Sequence, residues 1–463
     1  MDGFTLFPPP SLWDNWLSFW RFEDINVLWV LMGSILLSMS ASVIGGFAFL
    51  RKRSLIGDAL AHAALPGVMM AFLLFQTRDP LIIFIGALCS SFIGFFLIDW
   101  LPKNTKIKAD AALAITLSFF FAIGLMLLSY IQGLEVSNKS GLDKILFGQA
   151  AAMTEEDIQL LTYVTLFILI TVVLFFQKFR LIAFNQDFAR TIGMAVNRYE
   201  LLLALLIVMS VVVGLQLVGV VLMAAILLTP IAAARFWSNQ LSHILIIASL
   251  LGALSAIIST QISYLAPAMP TGPWMVVSLS VLFILSLLFA PKKGLVKRYF
   301  EFQALRQQVA EENILRTLYK LLERKEFMHN HFTQADIQSF RNMPSNCLQS
   351  TLKQLGKKSL INTSIQGIQL TQSGLERATQ LTRRHRLWEN YLNQQAKLLP
   401  EQVHQQAERI EHILTDAQEA QLQLELSNSQ SDPHGNAIPN THKTHKAQDA
   451  ISSTSNTGGR NFD

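Results

Sequence analysis

Four side chains in VHQQAERIEH, residues 403–412, are of types that bind metal: His404, Glu408, Glu411 and His412. They fall at i, i+4, i+7 and i+8, so a helix presents all of them on one side. A second pair with the same spacing, His385 and Glu389, lies upstream in TRRHRLWENYL. Imidazoles among carboxylates suit Mn2+ or Fe2+, and Zn2+ binds almost any such set strongly. Glu and His on one polar helix face are equally well explained by contact with water. A third pair differs in setting, because Asp58 and His62 stand four residues apart in the apolar run SLIGDALAHAALPG. Ionisable groups inside a membrane span are costly and mark ion pathways. On one helical face they either pass a divalent cation along or steady each other through a hydrogen bond.

Two unlike kinds of chain must position these groups. Of 463 residues, 51% are hydrophobic and only 15% charged, against roughly 25% charged in soluble domains. That deficit is the mark of a membrane protein. Residues 1–290 hold 15 Lys/Arg against 15 Asp/Glu, and 291–463 hold 22 against 17, so the whole formal charge of +5 sits in the C-terminal part. A polyanion or an acidic membrane surface suits such an excess. Cys89 and Cys347 are too few, and too differently placed, for a disulfide framework. Residues 1–24 lack a basic n-region and a cleavage site, and their tryptophans suit a helix lying at the membrane interface.

Apolar runs near 25–50, 60–77, 80–98, 109–131, 158–176, 200–234, 242–262 and 272–290 approach or exceed the about 20 residues that cross a bilayer. The run 200–234 is too long for one span, and Gly214 and Gly219 flank a break before LMAAILLTP. The expected count is eight or nine. Basic residues gather in RKR (51–53), KNTKIK (103–108), the 178–198 loop, Arg235 and PKKGLVKR (291–298). Nine crossings with the N-terminus outside put all of these in the cytoplasm, as the bias of cytoplasmic loops toward Lys and Arg requires. Eight crossings need one re-entrant segment, and the C-terminal part is cytoplasmic in both cases. No G-x-x-x-x-G-K-[ST] phosphate loop occurs in the chain.

After the apolar span 25–290, residues 291–312 form a juxtamembrane basic linker and helix. The plan of a winged helix-turn-helix follows over 313–378: TQADIQSF and NCLQSTLKQLG flank RNMPS, and SLINTS and IQLTQS pair through Gln366 and Gly367. The second helix would present Ser345, Asn346, Gln349, Ser350 and Lys353 to a major groove, with Lys357 and Lys358 near phosphates. Residues 379–426 are helical and hold most of the candidate ligands. Residues 427–463, polar and without periodicity, are expected to be disordered. The fold class is thus an all-α polytopic membrane protein of eight or nine transmembrane helices, followed by a soluble winged-helix domain and a helical metal-binding domain, which the repressor resemblance described next implies is also a dimerisation domain.

Two resemblances bear on function. SVIGGFAFLRKRSLIGDALAHAALPGVMMAFLL, LFGQAAAMTEEDI, FNQDFARTIGMAVNRYE, VGVVLMAAILLTPIAAAR and PTGPWMVV, in that order over about 25–290, resemble the permease subunits of bacterial ABC-3 importers for manganese, zinc or iron. The resemblance implies an inner-membrane channel driven by a separate ABC ATPase subunit, fed by an external metal-binding protein, and paired with a second permease copy or paralogue. It makes Asp58, His62 and Asp110 candidates for the transport pathway. Asp187, Arg190, Gly193 and Met194 become candidates for ATPase coupling. The order ILRTLYKL, winged helix, LTQSG, RRHRLWE, VHQQAERIEH over about 311–415 resembles the iron- and manganese-dependent, diphtheria-toxin-repressor-like transcriptional repressors. That resemblance implies one metal site of His385, Glu389 and His404 and another of Glu408, Glu411 and His412. A first-helix residue would complete the second site; Asn313 stands there, with Arg316 one turn on and no acid at either place. The reading is a divalent-metal permease joined to a metal-responsive regulator that binds operator DNA and can be released by cleavage within 291–312. The alternative is a permease whose C-terminal domain senses metal, gates transport and never touches DNA.

Overall fold

A computed structural model describes residues 12–51, 55–134, 148, 154–265, 269–328, 330–395, 418, 421–422, 426 and 431–439. The chain divides into two units, Met1–Arg298 and Tyr299–Asp463, each with its own apolar core.

The first unit is helical among its described residues. Its helices are α1 (Leu12–Arg21), α2 (Ile25–Leu50), α3 (Ile56–Phe75), α4 (Pro80–Asn104), α5 (Ala109–Gly133) and α6 (Glu155–Phe184), followed by α7 (Gln186–Thr191), α8 (Val196–Val218), α9 (Val220–Ala234), α10 (Leu241–Leu265) and α11 (Thr271–Phe289). Eight are long and apolar enough to cross a membrane: α2 to α6, α8, α10 and α11. Helix starts are written in caps. Asp79 accepts from the amides of Leu81 and Ile82, with Pro80 at the first helical position, and Thr154 and Asp157 form a reciprocal capping box.

The expected break in 200–234 falls at Gly219, whose φ of 89° separates α8 from α9 and is open to glycine at little cost. Gly214 stays inside α8. At 15 residues, α9 reaches about 22 Å, short of the roughly 30 Å hydrocarbon core. The basic loops stay on one side of the membrane only if this short helix returns the chain across it.

Helix α3 is the centre of the unit, packed among α4, α5, α8 and α9. It carries small residues on most of its circumference, and Ala59, Ala61, Ala63, Ala64, Pro66 and Gly67 are buried. A Cβ on Gly67 would meet the Gly86 carbonyl oxygen at 2.1 Å, and one on Gly86 would meet that of Gly67 at 2.6 Å. The two backbones touch. At the N-terminal side, α1 seats Phe19, 1% exposed, against Tyr264 and leaves Trp13, Trp16 and Trp20 outside, as an interfacial helix requires.

The second unit begins on α12 (Leu295–Arg324), one helix that takes up the expected linker. It continues with α13 (Gln334–Phe340), α14 (Ser345–Lys357), the hairpin β1 (Ile361–Ser364) and β2 (Gly367–Leu370), and α15 (Gln372–Gln395). Ser364 pairs with Gly367, leaving a two-residue turn of Ile365 and Gln366. Leu318, Leu348, Leu355, Ile361 and Leu370 share the core. Two expected boundaries change. The one at 378/379 lies inside α15, because TQSG opens a single helix: the Thr371 hydroxyl accepts from the Gly374 amide. Part of the expected disordered tail is ordered, since residues 431–439 form a turn around Asp432, 6% exposed, whose carboxylate accepts from the amides of His434 and Asn436.

Gly67→Val places two methyl groups where the α4 backbone lies. The substitution is expected to destabilise the membrane unit by about 3 kcal/mol, seen as a lowered melting temperature and a smaller monodisperse fraction in size-exclusion chromatography. Retention of wild-type melting would show that the α3–α4 contact opens freely.

Candidate functional site

In the membrane unit, Asp58 sits in the first turn of α3 and His62 one turn on. The His62 Nε2 lies 3.5 Å from Asp58 Oδ1, and the two side chains are 12% and 31% exposed. The imidazole stands edge-on to Phe121 of α5, with ring centroids 4.7 Å apart. Its Nδ1 is buried and has no hydrogen-bond partner among the described residues. This is a carboxylate and an imidazole held side by side, with one ring nitrogen uncommitted. Asp110 is exposed in the first turn of α5, and no ion pair or hydrogen bond joins it to Asp58 or His62 among the described residues.

Helix α7 follows α6 after a single residue, Asn185, which caps it by accepting from the Phe188 amide. Asp187 and Arg190 are exposed and 3.8 Å apart. Gly193 closes the turn after α7 with φ of 79°. Met194 instead turns inward and packs against Ile182, Ala189 and Val196. One contact here was not foreseen. The Glu200 carboxylate of α8 accepts from Gln186 Nε2 of α7 at 2.6 Å and also from the guanidinium of Arg51, the residue that caps α2. One half-buried carboxylate thus ties the short surface helix to the C-terminal end of α2. In the sequence Arg51 reads only as one cation of RKR, and no local pattern pairs it with a residue 149 positions away.

In the second unit, His385 and Glu389 lie on α15 and Asn313 and Arg316 on α12. His385 and Glu389 are each 1% exposed, and His385 Nε2 lies 2.9 Å from Glu389 Oε1. Arg316, 3% exposed, places Nη1 at 2.9 Å from His385 Nδ1. Asn313 is 7% exposed, and its Oδ1 has no hydrogen-bond partner among the described residues. His404, Glu408, Glu411 and His412 lie outside the described residues. Among the described residues no group of three or more His, Cys, Asp and Glu comes together. The part that is described fits a cation site: a buried His–Glu pair, and an amide oxygen one turn from Arg316 that lacks a donor.

Further along α15, Arg386 forks onto Glu323 of α12, with N–O distances of 2.9 and 2.5 Å. It also lies 3.6 Å from Asp432 and donates to the Ala437 carbonyl. Burial works against its charge, but Glu323 and Asp432 outweigh that cost and hold the guanidinium above its ordinary pKa. Arg383 and Asn390 donate to the carbonyls of Pro439 and Ser431. The 431–439 turn is thus strapped to α15 next to His385 and Glu389.

On α14, Ser345, Asn346, Gln349, Ser350 and Lys353 are all exposed, while Leu348, Thr351, Leu352 and Leu355 face the core. Lys357 is exposed as well. Lys358 reaches Glu311 of α12 at 2.6 Å instead of standing clear for a phosphate, because Glu311 is 5% exposed and needs a counter-charge.

Comparisons with known proteins follow the same division. Residues 23–290 match the ABC 3 transport family, and residues 371–440 match the family described as iron dependent repressor, metal binding and dimerisation domain. The chain is 38% identical over 384 residues to the manganese transport system membrane protein MntC of Bacillus subtilis, covering 82% of this chain and 87% of that protein. It is 36% identical over 275 residues to the zinc transport system membrane protein TroC of Treponema pallidum, covering 59% and 92%. A probable metal transport system membrane protein of Chlamydia trachomatis is 29% identical over 442 residues, covering 90% and 97%, and so runs through both units. Among solved structures, PsaBC from Streptococcus pneumoniae in complex with Fab superposes with a TM-score of 0.55 at 30% identity, covering 63% of this chain and all of that one. This chain therefore belongs to the ABC 3 transport family, as a multi-pass membrane permease subunit that continues into a metal-binding and dimerisation domain of the iron-dependent repressor type.

Proposed function

We propose that the membrane unit imports Mn2+ or Fe2+, with Zn2+ also accepted, and that the second unit senses the same class of ion and binds operator DNA. The observation that carries the transport reading is the Asp58–His62 pair in the tightly packed helix α3. A carboxylate beside an imidazole with an uncommitted nitrogen is a donor set for a divalent ion that arrives partly dehydrated. Relatives named for manganese and for zinc support the ion class. Asp110 belongs to the pathway only as a charge at the mouth of α5. The partners are an external metal-binding protein, a second permease copy or paralogue, and an ABC ATPase subunit that docks on α7 through Asp187 and Arg190. In proteoliposomes with that ATPase, Asp58→Asn or His62→Ala is expected to lower Mn2+ uptake at least about tenfold while the ATPase stays bound. Wild-type uptake in both variants would remove the pair from the pathway.

Coupling is assigned to Glu200, which joins α7 to Arg51. Glu200→Ala removes a charge-assisted bond on each side and is expected to reduce uptake roughly tenfold with ATP hydrolysis by the complex changed less than twofold. The exchanged pair Arg51→Glu with Glu200→Arg is expected to recover transport. Equal losses of hydrolysis and uptake, without recovery in the exchanged pair, would reduce Glu200 to a folding role.

DNA binding is assigned to the exposed face of α14, which is polar and carries Gln349 and Lys353. Its bearing on metal comes from α15, whose ligand pair His385 and Glu389 belongs to the metal-binding and dimerisation domain. A soluble fragment for the test runs from 299 to 440, so that it keeps the 431–439 turn on α15. In gel shifts with DNA upstream of the genes for this transport system, Mn2+ or Fe2+ is expected to tighten binding, and Gln349→Ala to weaken it about tenfold. Tight binding that ignores metal, or none on that DNA, would leave a transport gate as the role of this domain.

A further inference from the structure

The Arg316 guanidinium is buried against the His385–Glu389 pair, inside what the second unit offers as a cation site. We propose that Arg316 is a built-in competitor of the divalent cation: its charge and its hydrogen bond to His385 set how tightly the second unit takes up metal. The inference rests on the reading of His385 and Glu389 as ligands and goes beyond it.

Arginine only donates, so His385 Nδ1, 2.9 Å from Arg316 Nη1, must accept. A neutral imidazole whose Nδ1 accepts carries its proton on Nε2, and that nitrogen faces Glu389 Oε1 at 2.9 Å. His385 therefore has one lone pair turned to Arg316 and its other nitrogen protonated toward Glu389. A metal ion needs a lone pair. To bind at Nε2 it must send that proton to Nδ1, where it would point at a guanidinium that cannot accept it. To bind at Nδ1 it must displace Arg316. Either route breaks the Arg316–His385 bond.

Charge acts in the same direction. Arg316 is 3% exposed, and His385 and Glu389 are 1% exposed, so water screens little between them. Glu389 needs a positive partner at that depth, and Arg316 already places one beside the pair. A second cation a few ångströms away is repelled unless the guanidinium withdraws. Arg316 is positioned to act in this way by α12, whose Ile314, Leu315 and Leu318 anchor the helix in the core on either side of it.

The test uses the full-length chain purified in detergent, with bound Mn2+ read from the loss of the free-ion electron paramagnetic resonance signal. Arg316→Gln is expected to bind one Mn2+ per chain roughly tenfold more tightly than wild type, or more, and the gain is expected to vanish in Arg316→Gln with His385→Ala. Arg316→Lys keeps the charge and is expected to show little gain. Thermal melting of each variant reports folding, and Arg316→Met serves as a second neutral variant should Arg316→Gln melt early. If the neutral variants bind Mn2+ no more tightly than wild type while His385→Ala loses an ion, the competition is overturned and the metal site stands. If no Mn2+ depends on His385 in any variant, both the competition and the site fall.

Discussion

Backbone contact around α3 is the constraint on which the membrane unit depends. Lipid supplies no hydrophobic drive for one apolar helix to prefer another, so close approach through small residues and dispersion contact must hold the bundle together. Gly67 and Gly86 let α3 and α4 touch, and Gly45 similarly admits α9, since a Cβ there would lie 1.9 Å from the Leu227 carbonyl oxygen. Enclosure has an electrostatic result. It leaves His62 largely enclosed, while Asp58, one turn away, keeps about a third of its side chain exposed. A polar pair is tolerated there because the surrounding backbone is satisfied within its own helices.

The two units treat ionisable groups by opposite rules. The membrane unit uses few, and places most of them near helix ends, among them the Asp58–His62 and Arg51–Glu200 pairs. The second unit buries Glu311, Glu312, Arg316, Arg383, His385, Arg386, Glu389 and Asp432. Such groups stabilise little unless each finds a partner, and an orphaned one is costly. The partners are found largely between α12 and α15: Glu312 with Arg377, Arg316 with His385, and Glu323 with Arg386. These pairs specify which face of α15 meets α12, a register that the apolar residues of the core alone would leave looser.

Much of this was legible in the sequence where the signal is local. Apolar length, the glycine break before α9 and the hairpin after α14 are written in adjacent residues, although the hairpin's turn falls at Ile365 and Gln366, one residue before the expected Gln366 and Gly367. The i, i+4 pairs Asp58–His62 and His385–Glu389 were visible for the same reason. Long-range pairing was not. Nothing near Arg51 announces Glu200, and nothing near Arg316 announces His385, because the fold brings them together across 149 and 69 positions. Composition misled at 431–439, where SDPHGNAIP reads as disorder. The turn is ordered by Asp432 accepting backbone amides and by arginines of α15 that no local pattern foretells.

The placement of Arg316 matters beyond its own contact because a second tie lies on the same helix. Residues 316 and 323 are seven apart on α12, about 10 Å along the axis, and they hold His385 and Arg386, neighbours on α15. With Glu312–Arg377 one turn before Arg316 there are three ties between the two helices, and together they fix both the separation and the relative rotation of α12 and α15. The Glu323–Arg386 fork is bidentate and is backed by Asp432 and the Ala437 carbonyl, so it is firmer than the Arg316–His385 bond. The Arg316–His385 contact is one hydrogen bond between described atoms, and His385 is one of the proposed ligands. On the proposed reading a cation at His385 would break only the Arg316–His385 tie, while Glu312–Arg377 and Glu323–Arg386 on either side of it keep α12 and α15 together.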